Sequence, residues 1–186
     1  MIRPAGDRGA LVELPDNASA LAFARALERA DVLDVVVGHR TVLVTWERDP
    51  PDLTLTPAAG DAPRGRAHVF SVVYDGEDLD EVASETGLSR ESVVARHCAP
   101  DYTVAFIGFQ PGFGYLLGGD PLLAVPRRDE PRTRVPAGSV AIAGPYSGIY
   151  PRESPGGWRL LGRTAAVLFG ERPLLEPGDS VRFVST

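Results

Sequence analysis

Gly108-Phe109-Gln110-Pro111-Gly112-Phe113-Gly114-Tyr115-Leu116 opens the stretch that decides the fold, and Tyr150-Pro151-Arg152-Glu153-Ser154-Pro155-Gly156-Gly157-Trp158 nearly closes it. Between and beyond them, short apolar runs (Leu122–Val125, Ser139–Ala143, Trp158–Leu161, Ala165–Phe169, Ser180–Val184) alternate with Gly/Pro turns. Many short strands at regular spacing predict a closed or nearly closed β-barrel. Gly112 to Gly118 has one residue too many for a dinucleotide fingerprint and lacks the strand–turn–helix setting that such a fingerprint needs.

Upstream of Tyr102 the pattern is mixed. Ala10–Leu14 reads as a strand, and residues 17–30 place Ala20, Phe23, Ala24, Leu27 and Ala30 at helical spacing. Val32–Val37 and Thr41–Trp46 read as a hairpin, so the first segment is β-α-β-β. Asp49 to Arg66 is rich in Pro, Gly, Asp and Thr and reads as a linker with a short strand at Leu53–Leu55. Ala67–Tyr74 reads as a strand. Asp78–Glu85 reads as a helix ending at Gly87, and Ser89 caps a second helix that Pro100 stops. The chain is thus expected to be α+β, with an N-terminal α/β domain and linker over residues 1–66 and a barrel domain over 67–186.

Composition narrows the function. The net charge is −6, whereas nucleic-acid binders are usually basic. All 19 basic residues are arginine, which excludes a Schiff-base or P-loop lysine. Residues 1–100 carry 17 acids and 10 arginines, residues 101–186 carry 8 and 9, so the barrel half is near neutral. A single cysteine, Cys98, cannot staple the fold or build a multi-cysteine metal site, and no metal site is expected from the scattered His39, His68 and His97. With no apolar leader and no run long enough for a membrane span, the expected location is a reducing cytoplasm.

The candidate site residues follow from chemistry. Glycines let backbone amides approach a ligand, with aromatics as apolar walls; packing of a buried crossover loop accounts for the same pattern. Prolines around Arg127, Arg128, Arg132 and Arg134 stiffen a loop whose guanidinium forks suit carboxylate or phosphate, although Asp129 and Glu130 offer partners to two of them. His97 closes a helix just before the Tyr102 strand, either as a helix-end histidine or as a general acid/base at the mouth of a site.

Taken in order, Gly108-Phe109-x-Pro111-Gly112-Phe113-x-Tyr115-Leu116, Pro126-Arg127-Arg128, Pro131-Arg132, Val135-Pro136-Ala137-Gly138-Ser139-Val140, Ala143-Gly144, Gly148-Ile149-Tyr150-Pro151, Ser154-Pro155-Gly156-Gly157-Trp158 and Leu161-Gly162-Arg163-Thr164 closely resemble the family of the 5-oxoprolinase B-subunit, which also holds KipI and allophanate hydrolase subunit 1. The resemblance implies a cyclophilin-like β-barrel after a small α/β domain. It implies two partners from 5-oxoprolinase, a second cyclophilin-like chain (the C-subunit) and the A-subunit. The assembled set would open 5-oxo-L-proline to L-glutamate with hydrolysis of ATP, with Mg2+ and nucleotide bound by the complex. Related modules form a carboxyltransferase domain in urea carboxylase, and KipI inhibits a sensor kinase without catalysis. On this footing His97 and Arg163 are the expected catalytic residues. Phe109, Gly112, Phe113, Arg127, Arg128, Arg132, Gly138, Ser139, Tyr150, Gly156, Gly157, Trp158 and Thr164 are expected to bind substrate or phosphate around one anion-receiving hollow. Two departures stand out: Pro145-Tyr146-Ser147 fills the place where the family usually has a glutamine, and Gly114 stands where proline or alanine is usual.

Overall fold

The computed structural model describes residues 1–27, 32–54 and 65–186. They divide into two compact units, Met1–Gly65 and Arg66–Thr186, each with its own apolar core.

In the first unit, β1 (Ile2–Pro4), β2 (Gly9–Glu13), β3 (Asp34–Val37) and β4 (Thr41–Thr45) form an antiparallel sheet in the order β1-β2-β4-β3. Helix α1 (Asn17–Leu27) covers it. The Asp16 carboxylate accepts the Ser19 N–H at 2.7 Å and so satisfies one of the first-turn donors. The helical period then brings Ala20, Phe23, Ala24 and Leu27 to one face, against Val12, Val42 and Val44 from the inward side of the strands. Each fully buried Phe or Leu here contributes about 1.5–3 kcal/mol. The order is β-β-α-β-β: β1 escaped the sequence because three residues ending in proline have no readable period. The continuation of the expected helix past Leu27 and the Leu55 end of the expected short strand lie outside the described residues. Leu53 itself is in a turn.

The second unit contains β5 (Ala67–Val72), α2 (Leu79–Thr86), α3 (Arg90–Cys98), β6 (Tyr102–Ile107), β7 (Gly114–Leu117), β8 (Arg132–Val135), β9 (Ser139–Ala143), β10 (Tyr146–Ile149), β11 (Ser154–Gly156), β12 (Arg159–Arg163) and β13 (Ser180–Ser185). Seven strands lie in the order β12-β9-β10-β7-β6-β13-β5, and β8 and β11 form a separate ribbon. All neighbours in the large sheet are antiparallel except β13 and β5. Val73, just past β5, exchanges two backbone hydrogen bonds of 2.9 Å with Arg163 at the end of β12. The two edges of the sheet thus meet and the barrel is nearly closed. That approach depends on Gly162, because a Cβ there would collide with the Val73 carbonyl. The architecture is the α+β, cyclophilin-like one that the sequence resemblance implies.

Phe70, Val72, Tyr102, Val104, Leu116, Val140, Ile149, Val181 and Phe183 form the main barrel core. Leu79, Val82 and Val93 of the two helices pack with Leu123, Ile142 and Leu161 in a second cluster. Ser89 caps α3 by accepting the Ser92 N–H at 3.2 Å. Two expected strands are absent. Around Leu122–Val125 the chain makes a short 3₁₀ turn, Pro121–Leu123, because the Asp120 carboxylate accepts the Leu122 N–H and Pro121 favours a helical φ. Ala165–Phe169 stays irregular, with only a bridge from Phe169 to Pro173. Among the described residues no helix is long and apolar enough to cross a membrane.

Candidate functional site

The loop between β6 and β7 is drawn tight by three backbone hydrogen bonds, Gln110 N–H to Gly108 O, Phe113 N–H to Gln110 O and Gly108 N–H to Phe113 O. This leaves Phe109 at φ 65°, in the left-handed region that disfavours a side chain, and it is the only described non-glycine residue with positive φ. Its ring is 61% exposed, an unusual position for a phenylalanine. Beneath it Phe113, Tyr150 and Trp158 are buried. Phe109 meets Phe113 edge-on with centroids 5.5 Å apart and Tyr150 at 6.3 Å, while Phe113 meets Tyr150 and Trp158 at 5.2 Å each. Such edge-to-face pairs hold the rings in one arrangement. Tyr115 and Tyr146 extend the cluster.

The rim comes from the β11 segment. Gln110 Nε2 donates to Ser154 Oγ at 3.4 Å. Gly156 lies directly against the Tyr150 ring, where a Cβ would clash. Gly157 accepts the Arg128 N–H through its carbonyl at 2.8 Å. Burial pushes the Tyr150 phenol up, opposed by a backbone hydrogen bond from Trp158 and the nearby Arg127 charge, so the hydroxyl is a proton-bearing donor at neutral pH. Arg127 is exposed and has no acid partner among the described residues. Phe109, Phe113, Arg127, Tyr150, Gly156, Gly157 and Trp158 are thus brought together.

The remaining arginines do not share that place. Asp78, buried before α2, accepts Arg128 Nη1 at 2.8 Å, Arg132 Nη1 and Nη2 at 2.8 Å each, and the Leu160 N–H at 2.7 Å. Burial pushes this carboxyl up, but the Arg132 and Leu160 hydrogen bonds and the two guanidinium charges outweigh it and leave it below the ordinary carboxylate range. Arg132 also meets Glu77 at 3.1 Å, and Arg159 meets Glu81 at 2.6 Å. Arg128 and Arg132 therefore clamp α2 to the barrel, and the expectation that four forks surround one hollow is corrected. Arg163 pairs with Asp75 at 2.9 Å and, with Thr164, borders a separate groove along β5 lined by Val69, Ser71 and Val73. Gly138 does not offer its amide to a ligand, since it donates to Tyr150 O and accepts from Thr164 N–H. Ser139 is buried in β9. Gly112 rests against Phe169.

His97 is corrected as well. It is fully buried rather than at an open mouth. Its Nδ1 lies 2.7 Å from the Tyr74 hydroxyl and its Nε2 2.8 Å from Ser147 Oγ, and its ring lies 4.5 Å from Phe183. Burial lowers its pKa to about 3, so the imidazole is neutral at physiological pH. Sequence reasoning missed Asp75, Asp78, Tyr74 and Ser147, whose partners are 23 to 88 residues away. Asp78 carried one local signal, an acid immediately before a helix.

Residues 1–175 match the family described as carboxyltransferase domain, subdomain C and D. The chain is 42% identical over 177 residues to the 5-oxoprolinase B-subunit of Escherichia coli O157:H7, covering 86% of this chain and 81% of that one. It is 38% identical over 206 residues to the 5-oxoprolinase B-subunit of Haemophilus influenzae, covering 98% and 96%. Among solved structures it resembles TTHA0988 with a TM-score of 0.82 and 40% identity over its whole length, while spanning only 40% of that longer chain. At 20% identity and a TM-score of 0.72 it shares its fold with part of the Kluyveromyces lactis urea carboxylase. The chain belongs to the carboxyltransferase-domain family that includes the 5-oxoprolinase B-subunit.

Proposed function

We propose that this chain is one component of an ATP-dependent 5-oxoprolinase complex, in which it supplies one wall of the site that opens 5-oxo-L-proline to L-glutamate. The observation that carries the reading is Phe109: a strained, exposed ring set on a buried aromatic base beside an arginine with no acid partner among the described residues. Strain of this kind, of order 1–3 kcal/mol, persists where the surroundings over-determine it, and it concentrates at ligand sites. In the proposed complex Phe109 covers the apolar ring of the lactam and Arg127 faces its carboxylate. The exposed ring is completed by a partner, the A-subunit or the C-subunit.

The nucleotide is assigned to the complex and not to this chain. A triphosphate needs free guanidinium forks and free amides, yet Arg128, Arg132 and Arg163 are held by acids and the Gly138 amide is engaged. Among the described residues no His, Cys, Asp or Glu cluster is arranged for a metal ion. These donors do not fit ATP with Mg2+.

The test is to purify the chain with the A- and C-subunits and to measure 5-oxoproline-dependent release of phosphate. Phe109→Gly and Arg127→Ala are each expected to cost at least tenfold in turnover or KM, with the melting temperature little changed. No turnover by a complete, folded set overturns the reading. Full activity in both variants overturns the site.

A further inference from the structure

The seam at which the barrel nearly closes is zipped by a single pair of residues. Val73 and Arg163 exchange two backbone hydrogen bonds, and in the same antiparallel register Ser71 would face Ala165 and Val69 would face Val167. Neither pair forms. The Thr164 N–H is drawn off to the Gly138 carbonyl at 2.9 Å, and the Ala166 N–H turns back to Thr164 Oγ1 at 3.3 Å. The seam therefore opens into the groove between β5 and Thr164–Ala166, about 530 Å3 in volume. That is room for roughly 18 non-hydrogen atoms, or about three small residues, judged by the share of liquid volume that a water occupies.

The edge of β5 that faces this groove is unpaired. Strand parity decides it. The Arg66 and Val72 carbonyls accept from the Ser180 and Thr186 N–H groups, so the even-numbered residues turn their backbone groups to the β13 side. The odd-numbered residues turn theirs away, as Val73 does towards Arg163. The N–H and C=O of Val69 and Ser71 thus face the groove, with no partner among the described residues. From Val69 to Val73 the edge has none of the charges, prolines or bulges with which natural sheets guard an open strand. Instead Val69 is 66% exposed and Val73 40%.

Shape and charge select the occupant. A second copy is excluded by shape: its own β5 edge is recessed behind its own Ala165 and Ala166, and two recessed edges do not meet. A charged segment finds no counter-charge, because Arg163, the one charged side chain on the groove, is engaged by Asp75 at 2.9 Å. An uncharged extended segment matches both the bare backbone groups and the small walls at Ala137, Ala165 and Ala166. Three residues of added strand fall far short of the about 20–30 residues a side that a stable interface engages. The segment therefore belongs to a protein that also holds on elsewhere. Phe109, 61% exposed, is the anchor within reach. Phe169, three residues beyond Ala166 and so at most about 11 Å along the chain, presses on Gly112 of the Phe109 loop.

We propose that the β5 edge at Val69 and Ser71 is a docking site for an uncharged, extended strand of the partner subunit that covers Phe109, added into the seam so that the barrel closes. The inference rests on the oxoprolinase reading only for the identity of that partner.

Amide hydrogen exchange of the full chain is followed at single-residue resolution, alone and assembled with the A- and C-subunits. Alone, Val69 and Ser71 are expected to exchange freely while Phe70 and Val72, bonded to β13, are protected. In the assembly Val69 and Ser71 should slow at least about 100-fold. Ser71→Pro removes an N–H on the groove side, costs β5 no bond to β13, and should weaken association at least about tenfold, the value of one hydrogen bond. Ser71→Ala keeps that N–H and should associate like the native chain. An active assembly in which both amides still exchange freely overturns the proposal and leaves the oxoprolinase reading standing; protection without turnover does the reverse. Protection already present in the chain alone, from its own residues or from a second copy, overturns the proposal, as does a chain that binds neither subunit. If Ser71→Pro does not fold, the exchange comparison decides alone.

Discussion

At His97 charge and burial oppose each other directly. The ring sits among Tyr74, Tyr102 and Phe183, and its folded pKa of about 3 lies below the ordinary value of 6.5. In the window between those two values the unfolded chain binds a proton that the folded one does not. Stability from this residue is therefore complete above about pH 6.5 and falls as the pH drops towards 3, by up to about 1.4 kcal/mol per pH unit. Urea midpoints measured from pH 7.5 to 4 should fall more steeply for the native chain than for His97→Gln, which has no imidazole to protonate. Phe109 shows the opposite kind of cost, one of backbone. Replacing it with glycine removes the left-handed strain but adds unfolded-state freedom, so the net change in stability is expected to stay within about 1 kcal/mol. Chemical denaturation of Phe109→Gly measures this directly and separates a binding loss from a folding loss.

At the scale of the element, α2 illustrates how a short helix is held. Leu79, Val82 and Ala83 bury one side, which is modest for eight residues. The rest of the anchorage is electrostatic: Asp78 receives three guanidinium hydrogen bonds and one backbone N–H, and Arg159 reaches Glu81. Removing one partner from a buried pair leaves the others uncompensated, which costs about 3–5 kcal/mol. Asp78→Asn is expected to lose about that much, and hydrogen exchange should show α2 opening before the barrel strands. Arg134→Ala, whose partner Glu153 is exposed, should change stability by less than about 1 kcal/mol. The prolines between Pro126 and Pro136 suggested a stiff arginine loop, but only its first half, with Arg127 and Arg128, is irregular, and Arg132 and Arg134 lie in strand β8. What they could not announce is that an acid 50 residues upstream of Arg128 would receive two of its forks.

For the molecule as a whole, the cores are segregated. Val12, Phe23, Leu27, Val42 and Val44 lie in the first unit, and the other three apolar clusters lie entirely beyond Arg66. A fragment of residues 66–186 keeps every strand of the large sheet and is expected to melt as one cooperative transition. Calorimetry on the fragment checks this, and a broad, non-cooperative trace would contradict it. The parallel pairing of β5 with β13 makes that fragment indivisible, because strands from its two ends complete one sheet.

The order of glycines, prolines and aromatics from Gly108 to Thr164 determined by itself the family, the barrel and the tight loop under Phe109. It could do so because turn geometry and close backbone approach are local demands that few residue types meet. The α1 face and the Ser89 cap were legible for the same reason, through period and cap chemistry. The role of each charged or buried polar group was decided only in three dimensions. Arg128 clamps Asp78, Arg163 holds Asp75, and His97 is sealed between Tyr74 and Ser147. Coulomb attraction and desolvation depend on distance and burial, and neither quantity exists until the chain has closed on itself.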